Sequence, residues 1–193
     1  MKKLAFAAAL SLVAAPALAH TGTGHVTGFV HGLEHPVFGP DHLLAMLAVG
    51  LWSGFAMPGR VWAGAASFLA AMSLGAAASW AGIGFPGVET AITASVLVFG
   101  LLVLLARVGQ PRALTLATLL AIAGFASAHG HAHATEASGG ALGYLAGFLL
   151  STTALHLAGI LLARACAGGL VGRLVQGALG TGIAGAGLML IAG

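Results

Sequence analysis

The residues best suited to chemistry in this chain stand between His31 and Met46. The run His31-Gly32-Leu33-Glu34-His35-Pro36-Val37-Phe38-Gly39-Pro40-Asp41-His42-Leu43-Leu44-Ala45-Met46 gathers three histidines, two carboxylates and a methionine. Elsewhere the sequence is nearly free of charge: only 6% of its residues are Asp, Glu, Lys or Arg. Imidazole, carboxylate and thioether together suit a borderline transition-metal ion such as Ni²⁺, Co²⁺ or Zn²⁺. An all-oxygen set would suit Mg²⁺ or Ca²⁺ better, and a thiolate set would suit structural zinc. Neither of those is seen.

Spacing narrows the run to a core. Gly39 and Pro40 suit a helix start, because proline is tolerated where the N–H has no intrahelical partner. Asp41 then falls in the first turn, where it also complements the helix dipole. His42 and Met46 are four residues apart and share a face, which continues through Gly50 and Ser53. A His/Met stripe that opens onto small residues leaves room for an ion to pass. His35, Asp41, His42 and Met46 are the candidate ligands, Glu34 adds field and a further oxygen, and His31 is the weaker neighbour.

Two further features carry donor atoms. In His129-Gly130-His131-Ala132-His133-Ala134-Thr135-Glu136, a continuing helix would put His129, His133 and Glu136 on one face and turn His131 away. His156 lies inside an apolar segment, after Ser151, Thr152 and Thr153. An ionisable side chain there is a functional candidate by default; a neutral imidazole bonded to Thr152 is the plainer reading. His20 is a tenth candidate, discussed with the chain start.

The elements that must position these groups are membrane helices. The chain is 59% hydrophobic with a mean hydropathy of +1.04, where an ordinary soluble domain is roughly 25% charged. The net charge of +3 comes from few bases and fewer acids, and does not point to nucleic acid. A single cysteine, Cys166, excludes a disulfide framework or a Cys-based metal cluster. Residues 1–19 read as a cleaved signal peptide: Lys2 and Lys3, an apolar stretch, then Ala17-Leu18-Ala19. Cleavage would leave His20 with a free α-amine beside its imidazole, a bidentate nitrogen ligand. Residues 20–39 then form a periplasmic leader with the capture motif, and 40–193 a six-helix transmembrane domain. The six apolar stretches are Pro40–Met57, Val61–Gly82, Val88–Ala106, Ala113–Ala128, Gly140–Ala163 and Leu174–Ala192, each near spanning length. The expected fold class is an all-α integral membrane protein with six transmembrane helices after a cleaved signal peptide.

Charge placement gives the orientation. Arg60, Arg107, Arg112, Arg164 and Arg173 fall in loops on one side, which is the cytoplasmic side by the positive-inside rule. Glu34, Asp41, Glu89, Glu136 and every histidine except His156 fall on or near the other. An outer mouth of carboxylates and imidazoles attracts cations. Glycine motifs such as Gly143-xxx-Gly147 read as close helix packing, and leave homo-oligomerisation open.

The chain resembles the HupE/UreJ family of nickel permeases, linked to hydrogenase and urease maturation. The family's motif HPxxGxDHxxxM is matched by His35-Pro36, Gly39, Asp41-His42 and Met46. Its second motif, FHGxAHGxE, is matched by His129-Gly130, Ala132-His133 and Glu136, with Ala128 and Ala134 departing from it. Thr153-Ala154-Leu155-His156 also looks like family members. The resemblance implies a bacterial inner-membrane permease for Ni²⁺, where spacing alone implies a path for a transition metal, with Co²⁺ as the other ion. The expected partners are the divalent ion, the bilayer and a downstream nickel-enzyme maturation machinery. No resident cofactor is expected, since the ion is cargo. The competing reading is a membrane-embedded His-box metalloenzyme, di-iron or zinc; it lacks a nucleophile and paired adjacent histidines.

Overall fold

The computed structural model describes residues 28–137 and 140–193. The expected signal peptide and His20 lie outside these described residues. Among the described residues seven helices follow one another: α1 (Gly28–Phe38), α2 (Pro40–Ala56), α3 (Ala63–Trp80), α4 (Val88–Leu105), α5 (Arg112–Glu136), α6 (Ala141–Cys166) and α7 (Gly169–Ala192). Five of them, α3 to α7, are long and apolar enough to cross a membrane. The protein is therefore a multi-pass helical membrane protein. α2 has 17 residues, about 26 Å at 1.5 Å per residue, a little short of a roughly 30 Å hydrocarbon core. Lipid contact is not its main task, because α2 is the central helix: α1, α3, α4, α6 and α7 all pack on it.

Residues 28–38, which the sequence places in the leader, form a helix. Its end is set by one residue pair. Proline disfavours helical backbone in the residue before it, and Gly39 is extended at φ −84°, ψ 111°. Pro40 then opens α2. The Gly39 N–H donates to the His35 carbonyl at 3.1 Å, and the Leu43 N–H donates to the Gly39 carbonyl at 2.8 Å. α1 and α2 are thus two segments with one extended residue between them. The break puts His35 in the last turn of one segment and His42 in the first turn of the next.

Both segments lie along α6, α1 on its first turns and α2 on its second half. Glycine makes the approach. A Cβ on Gly50 would stand 2.2 Å from the His156 carbonyl oxygen, and one on Gly159 would stand 2.4 Å from that of Leu47. The small residues below His42 and Met46 therefore do not hold a channel open; at Gly50 the space is filled by the α6 backbone. α3 and α5 pair in the same way, and α4 packs on α7. Gly50→Ala is expected to cost about 1–3 kcal/mol through overpacking. A lowered thermal midpoint of the purified protein would show it, with Gly182→Ala on the exposed face of α7, where nothing lies within 4 Å, unchanged or slightly stabilised.

α5 runs through the histidine cluster to Glu136, beyond the expected end at Ala128, because the alanine-rich sequence there favours helix and the inward imidazoles find buried places. The arginines gather at one end of the bundle: Arg60 and Arg112 line one cavity, and Arg107 and Arg173 another. The histidine clusters lie toward the opposite end.

Candidate metal centre

Three helix segments converge on one point. His35 comes from the end of α1, His42 from the start of α2 and His133 from the last turn of α5. All three are buried, and one ligand nitrogen from each lies within 4.8 Å of the others. The ring centroids are 5.2 Å apart for His35 and His42, 4.5 Å for His35 and His133, and 4.4 Å for His42 and His133. The Nε2 atoms of His42 and His133 face each other directly. Three imidazole nitrogens drawn together in an apolar bundle are a donor set for a borderline divalent metal ion.

Asp41 orients this set. Its Oδ1 accepts from His42 Nδ1–H at 2.5 Å and from the His42 backbone N–H at 2.8 Å. With the Nδ1 proton committed to the carboxylate, the lone pair of His42 is left on Nε2, aimed at the other two rings. Carboxylate–imidazole pairs of this kind fix the tautomer and the ring orientation of a ligand. The sequence places Asp41 among the ligands; in the structure its Oδ1 is engaged by His42.

Aromatic rings wall the trio. Phe148 of α6 lies 4.6 Å from His133 and 6.0 Å from His35, centroid to centroid. Tyr144, one turn earlier, approaches His31 at 5.4 Å and His35 at 6.4 Å. A narrow crevice lined in part by Met72, Trp80, Gly130, His133, Tyr144 and Phe148 reaches His133. None of these aromatic positions carries a type or spacing that marks it in the sequence. Met72 is missed for the same reason, lying in a segment with no histidine, cysteine or carboxylate.

The remaining candidates are placed as follows. Met46 is fully buried one turn below His42. Glu34 is exposed. Glu136 ends α5, and its side chain is not among those described. His131 turns out of the site, donating Nε2–H to the Ile83 carbonyl at 2.7 Å. His129 is buried beside His42, ring centroids 4.9 Å apart, and bonds Ser95 at 3.1 Å. His156 is fully buried and donates Nδ1–H to the Met46 carbonyl at 2.7 Å. Its partner is therefore a backbone oxygen of α2 and not Thr152, because the close α2–α6 approach brings that carbonyl into reach. Ser95 is a polar group mid-way along an apolar helix, a weak signal that could have marked it.

Comparison with known proteins places the chain in a family by its sequence. The family model described as HupE / UreJ protein matches residues 8–190. Protein HupE of Rhizobium leguminosarum bv. viciae is 38% identical over 197 aligned residues, covering 98% of this chain and 100% of that protein. No solved structure matches.

Proposed function

Because the chain belongs to the HupE/UreJ family, we propose that it is a permease that imports a divalent transition-metal ion, Ni²⁺ foremost and Co²⁺ as the alternative cargo, across a bacterial inner membrane for metalloenzyme maturation. The observation that carries this reading is the buried trio His35, His42 and His133, at the end of the bundle away from the arginines. In this reading α2 is the first of six spans, the signal peptide has been removed, and the trio faces the periplasm. Asp41 holds His42, Glu34 and Glu136 draw the cation in, and Met46 and His129 receive it below. His20 with its free amine is an accessory ligand ahead of the trio.

The driving force is the membrane potential. One charge gains about 2.3 kcal/mol per 100 mV, so a divalent ion gains about 4.6, roughly 10³-fold at equilibrium. Imidazole ligands hold the ion without a net negative cage, so binding need not prevent release.

Proteoliposomes loaded with a metal-sensitive dye test this. An inside-negative potassium diffusion potential is expected to raise the initial Ni²⁺ rate, Co²⁺ is expected to compete, and Mg²⁺ is not. Equal rates in protein-free vesicles would remove the proposal.

A further inference from the structure

Below the trio, three buried polar atoms have no hydrogen-bond partner: His129 Nδ1, Thr152 Oγ1 and His156 Nε2. All three residues are fully buried. An orphaned polar atom in an apolar interior is costly, and such atoms in a folded chain call for an explanation.

The tautomers are set by the partners. Ser95 donates its hydroxyl proton to the Ile92 carbonyl at 2.6 Å. Its oxygen is then free to accept, and the His129 Nε2–H donates to it at 3.1 Å. That leaves the lone pair of His129 on Nδ1. The proton of His156 is on Nδ1, donated to Met46, which leaves its lone pair on Nε2. Each imidazole thus spends its N–H on a fixed acceptor and keeps a bare nitrogen inside the bundle, the arrangement of metal-ligating histidines.

One side chain, Phe68, touches both rings. Phe68 lies 5.6 Å from His129 and 5.0 Å from His156, centroid to centroid. Thr152 precedes His156 by one turn on the same face of α6, and Phe148, which walls the trio, precedes Thr152 by one more. His156 is 15 residues past the start of α6 at Ala141, about 22 Å along the helix. The line His35, His42 and His133, then His129, then His156 therefore descends through the bundle.

We propose that His129 Nδ1, His156 Nε2 and the Thr152 hydroxyl form a second ion station, deeper in the membrane than the trio, which accepts the divalent transition-metal cargo from it. Two neutral imidazoles and a hydroxyl select a borderline metal over Mg²⁺ or Ca²⁺. Ser95 is a positioning residue that fixes which nitrogen of His129 is offered. The station rests on the permease reading and adds a stopping place to it.

The test is equilibrium titration of the full-length protein in nanodiscs with Co²⁺, followed by its visible absorption, beside Ni²⁺ flux in proteoliposomes. Wild type is expected to bind two ions per chain. His156→Asn, which retains a donor group near the Met46 carbonyl, and the milder Ser95→Ala are each expected to bind one and to lose flux about tenfold or more. Ser95→Thr is expected to restore both, and ¹⁵N spectra of labelled histidine to show His129 protonated on Nε2 in wild type but not in Ser95→Ala. One ion per chain in wild type, removed by His42→Ala, would overturn the station, as would wild-type flux in His156→Asn. Either result leaves the permease intact; absent flux in wild type would remove both.

Discussion

His42→Ala is expected to lower Ni²⁺ uptake by about 100-fold or more, and His133→Ala to do the same. Both rings contribute to a set whose ligand nitrogens lie within 4.8 Å of one another. Removing one leaves two imidazoles, and outer-shell changes alone already cost about 10–100-fold in affinity. The loss should be in the ion and not in the fold, because each ring sits where helix ends meet and neither bridges a close helix pair. Uptake into proteoliposomes, with circular dichroism and a size-exclusion profile of each variant, separates the two. His131→Ala is the comparison. Its imidazole bonds the Ile83 carbonyl, and uptake should stay within about twofold of wild type. If His131→Ala were as damaging as His133→Ala, the trio would not be the site.

Asp41→Asn is expected to lower uptake by about 10–100-fold, less than loss of a ring. The carboxylate accepts from His42 twice, at the ring and at the backbone. An Asn oxygen can still accept, so the shape survives while the negative charge beside the His42 ring is lost. The defect should therefore appear as a raised KM for Ni²⁺ with a smaller change in maximal rate, and Asp41→Ala should be worse than Asp41→Asn. Glu34, exposed on α1, tests field alone: Glu34→Gln should change the rate at low ionic strength and converge on wild type at high salt.

Much of the architecture is legible in composition and period. Apolar runs of spanning length give the helices, because that signal is local. The local geometry of the histidine run is legible for the same reason: Gly39-Pro40 marks a helix start, and four-residue spacing places His42 with Met46. What is not legible depends on which helices touch. Gly50 reads as an opening from the sequence, and only the α6 backbone against it shows that it is a contact. The His156 partner was out of reach likewise, since a carbonyl 110 residues away leaves no mark on local spacing. The helix over residues 28–38 is hidden in the sequence by its two histidines, its single carboxylate and its proline; packing on α6 supports it. Ser95, Phe68 and Met72 acquire meaning only when α3, α4 and α5 are assembled around the histidines.

The single extended residue at Gly39 makes the trio sensitive to angle. His35 stands four residues before the joint, an arm of about 6 Å, and His42 stands just beyond it. Tilting α1 by about 10° would swing His35 by about 1 Å, several times the ~0.2 Å within which metal–ligand distances are held. In the proposed permease the joint would work as a lever: a few degrees of tilt would decide whether three rings or two can grip the same ion. The grip would in turn stiffen the lever, so that the slope of an 11-residue helix and the occupancy of the proposed site would become two readings of one coordinate.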